Sequence, residues 1–246
     1  MKDSQVDLCG EIGRAEEDDF PVLAKTDSFA FACNGCGDCC RGREDIVLSG
    51  YDLWRICARL RLPPQIVLRA FCRSYVGQNS LLPVVRLQPL RAEKDNCPFL
   101  SGGRCSIHDA EPLVCALFPL GQQIGLDGTV TYFAQPVDCG GRPQSAVVGD
   151  YLARYGIESR EAVDAQWALC CIGLSHRVRA LAKTAGDIQL KLLQRRICRG
   201  LYLDYDFAVP YEPQFAAQRR KLETLLDGLE KQYGTADTVR NMPQNG

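Results

Sequence analysis

The stretch Phe31-Ala32-Cys33-Asn34-Gly35-Cys36-Gly37-Asp38-Cys39-Cys40-Arg41 places four cysteines within eight residues, the last two adjacent. The spacing Cys33-x-x-Cys36-x-x-Cys39 is one by which a tight loop turns three thiolates towards one centre. Iron–sulfur proteins use such a run with a distant fourth cysteine, and structural zinc sites use C-x-x-C pairs for the same reason. Asn34-Gly35 and Gly37 supply the backbone freedom that such a wrap needs. Cys40 adds a constraint. Adjacent residues tend to direct their side chains differently, so Cys39 and Cys40 are expected to serve two centres or to leave one of the two a bystander.

Working outward, the same chain of 246 residues carries 14 cysteines, 46% apolar residues and a formal charge of −1. An apolar fraction of this size can build a core without staples. The near-zero charge argues against a general nucleic-acid binder. There is no apolar run long enough to span a bilayer, and the polar start Met1-Lys-Asp-Ser-Gln-Val-Asp-Leu-Cys-Gly10 does not read as a signal peptide. The expected location is therefore a reducing cytoplasm, where disulfides seldom persist.

Four further cysteines sit in loop-like contexts. Cys97 precedes Pro98, Cys105 follows Gly-Gly-Arg, Cys115 lies in a short turn before Phe118-Pro119, and Cys139 precedes Gly-Gly. The eight residues Cys33, Cys36, Cys39, Cys40, Cys97, Cys105, Cys115 and Cys139 match the requirement of two four-cysteine centres. Buried structural thiols explain the pattern less well, because such thiols seldom cluster beside glycines in a reduced protein. Metal ligation is the reading these residues support. Thiolates suit both iron–sulfur and zinc. Cys97-Pro98 echoes the Cys-Pro end of ferredoxin runs, and the second group is spaced more widely than paired zinc knuckles. An iron–sulfur cluster, of the 4Fe–4S type, is thus placed ahead of zinc as the cofactor.

The organisation along the chain points to an α+β fold. A cysteine-rich metal-binding region with short hairpins and helices is expected over 29–143, an all-helical region over 144–233, and flexible termini over 1–28 and 234–246. Ser49-Gly-Tyr-Asp52 reads as a capping box opening a helix through Leu53, Ile56, Cys57 and Leu60. After Pro63-Pro64 a second helix is expected from Gln65 to about Tyr75. Residues 81–90, with two prolines, read as an edge-like strand. Strands flank Ser101-Gly-Gly103, and Asp127-Gly128 reads as a hairpin turn between Gln122–Leu126 and Thr129–Ala134. Asp109 and Pro112 mark the start of a short helix carrying Cys115. Helical periodicity then covers roughly 145–155, 159–182, 186–202 and 213–232.

These motifs in order resemble one family. Cys33-x-x-Cys36-Gly-x-Cys39-Cys40, Ser49-x-x-Asp52, Cys97-Pro-Phe-Leu-x-x-Gly-x-Cys105-x-Ile107, Glu111-Pro-Leu-x-Cys115-x-x-Phe118-Pro119 and Cys139 look like the YkgJ-type cysteine-cluster family, a zinc- or iron-chelating domain. The resemblance covers residues 31–142. It implies metal ligation by the eight cysteines. The family's relation to the flagellin lysine N-methylases carries a second implication, an enzyme that modifies a protein side chain. In that family an aromatic commonly stands at position 108 and Arg at position 111, where this chain has His108 and Glu111.

Other residues receive plainer readings. His108 follows Cys105 at C-x-x-H spacing, but a surface or packing role is favoured over ligation. His176 reads as solvated. Cys57, Cys72, Cys170, Cys171 and Cys198 fall on helical patterns and read as core thiols, and Cys9 as a free thiol. Lys191, Arg195, Arg196 and Arg199 form a basic face, most simply a solvated one. Neither G-x-G-x-x-G nor P-loop nor G-x-S-x-G is present, and only two histidines are available for general-base chemistry. The expected role is a structural, redox or metal-handling module with a protein as partner or substrate, and without nucleic acid or membrane.

Overall fold

The first strands lie where the sequence reading placed a flexible terminus. The computed structural model describes residues 20–90, 96–137 and 145–233. Residues 20–30 already carry β1 (Val22–Leu23) and β2 (Ser28–Ala30). A 3₁₀ turn (Asp38–Cys40) and β3 (Val47–Leu48) follow.

Helix α1 (Gly50–Leu60) begins as its sequence dictates. The Ser49 hydroxyl accepts from the Asp52 amide at 3.0 Å, and the Asp52 carboxylate accepts from the Ser49 amide at 2.9 Å. These reciprocal bonds satisfy two orphan donors of the first turn. The helix buries Leu53, Ile56 and Cys57. Its end is closed by Arg61 in the left-handed region, and Pro63-Pro64 enforces the break.

Helix α2 (Pro64–Phe71) is shorter than its pattern suggests. The chain turns extended at Cys72 and forms β4 (Cys72–Val76), which pairs antiparallel with β5 (Pro83–Leu87). The sheet order is β3-β5-β4, so β5 is central, not an edge. Its prolines do not forbid this. Pro83 is the first residue of the strand and Pro89 lies beyond its end, so neither removes an interior ladder donor.

Strands β6 (Leu100–Ser101) and β7 (Arg104–Cys105) form the small hairpin expected around Gly102-Gly103. A 3₁₀ turn (His108–Ala110) then leads into α3 (Leu113–Leu117). Here the expectation is corrected. Pro112 occupies the N-cap and Asp109 is instead drawn to Arg59 at 2.8 Å. Strands β8 (Leu120–Ile124) and β9 (Val130–Ala134) make the second hairpin, and β1 adds to it in the order β1-β9-β8. Strand β10 (Ser145–Val147) pairs with β2.

The rest is helical: α4 (Val148–Arg154), α5 (Glu161–Leu181), α6 (Asp187–Cys198) with a π-turn over Arg199–Leu203, and α7 (Tyr211–Tyr233). This is the α+β class. One core unites Leu48, Leu53, Ile56 and Val85 with Trp167, Ile197, Leu201, Tyr211 and Leu226. The late helices therefore bury their apolar faces on the same core as α1 and its sheet. A second core joins Phe29, Phe31, Leu117, Leu120 and Tyr132 to Leu152 and Ile157. Among the described residues no helix is long and apolar enough to cross a membrane.

Candidate metal centre

The cysteine run forms a pinned loop. Gly35 and Gly37 adopt φ of 70° and 74°, in the region that favours glycine. Asn34 Oδ1 accepts from the Cys36 amide at 3.1 Å, a local Asx turn. Arg41 closes the loop from below, donating to the Cys36 carbonyl at 2.7 Å and to Asp38 Oδ1 at 2.8 Å. The Cys40 amide donates to the Gly37 carbonyl at 3.0 Å, forming the 3₁₀ turn.

Backbone bonds bring the second group to this turn. The Cys97 amide donates to the Cys40 carbonyl at 2.8 Å, beside a bridge between Arg41 and Asn96. The hairpin β6–β7 then carries Cys105 back, held by the Ser106 amide and hydroxyl on the Phe99 carbonyl at 2.8 and 3.0 Å. Cys115 arrives on α3. Its position depends on Asp52, whose Oδ1 accepts from the Leu113 amide at 3.0 Å and from Arg160 Nη2 at 2.6 Å. Arg160 also pairs with Asp164 at 2.7 Å, and all three side chains are buried. Thus one carboxylate caps α1, anchors the start of α3 and takes a cation from the segment leading into α5.

The result is a thiol cluster drawn from three segments. The Cys39 and Cys40 sulfurs lie 3.9 Å apart, and the backbone bond from Cys97 to Cys40 sets the Cys97 thiol where it acts on that of Cys40. Cys105 and Cys115 lie close enough to act electrostatically on Cys97 and Cys40 and on each other. Hydrogen bonding to Cys40, then burial, holds the Cys39 thiol far above its ordinary value. For Cys40 the bond with Cys39 pulls down, but the Cys97 contact and burial prevail, pushing it up to about 11. The bond with Cys40 outweighs burial to lower Cys97. Burial raises Cys105, and it raises Cys115 most strongly, with Glu111 adding to both.

Adjacent side chains do not diverge here as the sequence reading supposed. Alternation belongs to extended strands, whereas the tight turn leaves the Cys39 and Cys40 sulfurs as neighbours. Two thiolates bound to one zinc at about 2.3 Å lie about 3.8 Å apart at the tetrahedral angle. The observed 3.9 Å therefore suits a shared metal. The donor set also fits a thiophilic ion: several desolvated sulfurs with one guanidinium, that of Arg43, near Cys39 and Cys115. Among the described residues, no three His, Cys, Asp or Glu side chains close on a single point as a finished cage.

The other expected ligands stand apart or beyond description. Cys33 is exposed and neighbours Tyr151 and Tyr155. Cys36 is half-buried. Cys139 and Cys9 lie outside the described residues. The core-thiol reading holds for Cys57, Cys72 and Cys170, which are buried and pushed up to about 12 by that burial. Cys171 and Cys198 pack against the same core. His108 is 66% exposed, with Nδ1 3.2 Å from Glu111 Oε2. Sequence reasoning did not find Glu111, Arg160 or Asp164. No spacing links Arg160 to Asp52, 108 positions earlier. A Glu before Pro112 had been noted only as a departure from the family pattern.

The fold and these thiols describe a cysteine-rich α+β region joined to a helical one. Comparison with family models agrees. Residues 32–139 match CxxCxxCC, described as a "putative zinc- or iron-chelating domain". No curated protein and no solved structure matches the chain.

Proposed function

We propose that the protein is a metal-binding module whose cysteines hold an iron–sulfur cluster, with zinc the competing occupant, in a structural, redox or metal-handling role. The observation that carries the reading is the convergence of Cys39 and Cys40, Cys97 and Cys105, and Cys115 from three separate segments. Thiols gathered side by side and partly withheld from water gain little from one another. A bound cation would compensate by taking the thiolates as ligands.

Cys33, Cys36 and Cys139 complete the proposed ligand set. The glycines at 35 and 37 let the loop carry Cys33 and Cys36 inwards when a metal supplies the attraction. When bound, an iron–sulfur cluster supplies electron transfer, whereas zinc supplies structural closure. The chain's own residues fix the sulfurs, neutralise part of their charge through Arg43, and shield the centre with the β6–β7 hairpin. The Gly37 position illustrates that shielding: a Cβ there would sit 3.3 Å from the Gly103 carbonyl of the hairpin.

Anaerobic purification followed by metal and acid-labile sulfide analysis tests the reading. Iron with matching sulfide is expected. Stoichiometric zinc without sulfide would replace the cluster by a zinc module, and no bound metal would overturn the function altogether.

A further inference from the structure

The β3-β5-β4 sheet leaves one side of β4 open. In its ladder Cys72 stands opposite Leu87, Ser74 opposite Val85 and Val76 opposite Pro83. The Gly77 amide donates to the Leu82 carbonyl at 2.9 Å, and the Gln88 amide to the Phe71 carbonyl at 2.8 Å. Hydrogen-bonded and non-bonded pairs alternate along an antiparallel ladder. Arg73 and Tyr75 therefore turn their main-chain groups to β5, while Ser74 and Val76 turn theirs outward, together with the Cys72 carbonyl. The Cys72 amide is taken by the Leu68 carbonyl at the end of α2. Among the described residues no second strand pairs with β4. Ser74 is exposed, and Val76 is 43% exposed.

Sheet edges are ordinarily blunted by brevity, proline or a bulge. The opposite edge, β3, has only two residues. Strand β4 has five, Cys72-Arg-Ser-Tyr-Val76, with no proline and an unbroken register. Its one charge, Arg73, stands directly opposite Arg86, and like charges so placed repel. Arg86 is drawn to Glu44 at 3.2 Å. Arg73 has no carboxylate partner among the described residues, and neither has Arg69 of α2. Both arginines border a cleft of about 800 Å³ that lies against this edge, with Gln65, Leu68, Ser74 and Leu203. No acidic residue lines it among the described residues.

Outward main-chain groups and unbalanced cations thus meet at one place. We propose that β4 is a docking edge for an extended acidic segment of a partner protein. The segment adds as a fourth strand to the three-stranded sheet. Its main chain bonds Ser74 and Val76, and its carboxylates meet Arg69 and Arg73. Main-chain pairing supplies affinity in this mode, and the adjoining cleft selects side chains. A second copy of this chain suits the edge less well, because pairing β4 with itself adds two more guanidiniums and no anion. None of these residues is a proposed metal ligand, so the docking edge and the metal centre stand or fall separately.

The test uses a short fluorescein-labelled peptide of alternating glutamate and valine, its lysine–valine counterpart, and the full-length protein as isolated anaerobically. Anisotropy is expected to show binding of the glutamate–valine peptide alone. Replacing Arg69 and Arg73 together by Ala is expected to weaken it about tenfold, and added salt to weaken it further. Ser74→Ala keeps the main-chain donor and is expected to bind as the parent does. Ser74→Pro removes an outward N–H that the protein's own ladder does not use, and is expected to abolish binding. Hydrogen exchange reads the same point without a substitution: the Ser74 and Val76 amides of the parent should slow when the peptide is added. Equal binding of the two peptides, no binding of the glutamate–valine peptide at millimolar concentration, or unchanged exchange at Ser74 and Val76 would overturn the proposal. So would a dimer that forms without peptide and is dissolved by Ser74→Pro, since the edge would then belong to a second copy.

Discussion

At the scale of single residues, the contrast is between thiols raised by burial in the core and thiols whose shifts also carry the action of other thiols. Cys57 and Cys170 are buried in the apolar core, and burial leads the causes that raise them. Cys40 and Cys115 are raised as well, but other thiols contribute to the shift. Replacing Cys115 by Ser should abolish stoichiometric metal, measured by elemental analysis, while Cys57→Ser should retain it at some cost in stability. The thiol shifts also fix a pH dependence. Raised thiols hold their protons at neutral pH, so a metal must displace them. Affinity should rise with pH, by about tenfold per unit for each net proton released. A chelator competition across about pH 6 to 8 measures that slope; a flat profile would mean that the displaced groups are not these thiols. Of the eight cysteines expected as ligands, the fold brings Cys39 and Cys40 near Cys97, Cys105 and Cys115, residues that spacing and glycines had singled out in the sequence. The closeness of Cys39 to Cys40 was not legible there, since it depends on a turn geometry that adjacency alone does not reveal.

At the scale of elements, α1 joins the cysteine region to the late helices. Its capping box was readable from Ser49 and Asp52, yet the sequence concealed that Asp52 also binds the Leu113 amide and Arg160. Removing that charge leaves Arg160 buried with one partner fewer. Asp52→Asn should therefore destabilise the fold by about 3–5 kcal/mol in denaturant titration, and should weaken metal binding through the displaced start of α3. An effect confined to stability would show that α3 holds Cys115 in place without this tether. Gly50 carries a second constraint. A Cβ there would meet the Leu201 carbonyl, the Trp167 ring and the Tyr211 hydroxyl. Gly50→Ala should cost about 1–3 kcal/mol by overpacking, although alanine normally favours a helix. The elements that the sequence misplaced share a cause. Helix α2 ends early because Cys72–Val76 finds a strand partner in β5, and β5 is central because strand order is set by distant pairings, not by its own residues.

At the scale of the molecule, the shared core means that the cysteine region does not stand alone. Tyr51 and Trp54 of α1 stack with each other, and both contact Tyr211 of α7. Trp167 packs on Tyr202 and Phe215. The α+β class was legible from hairpin turns followed by helical periodicity, but nothing in the periodicity said which face of each helix meets the sheet. Because the metal would bind three segments that converge only in the folded state, its removal should lower the midpoint of thermal unfolding, with restoration on adding it back. The most direct test of the central claim is X-ray absorption at the edge of the bound metal, comparing the parent with Cys40→Ser and Cys115→Ser. The account predicts a first shell dominated by sulfur, whose sulfur count falls in both variants although the residues come from different segments. A shell of only oxygen and nitrogen, or one unchanged by both substitutions, would contradict it.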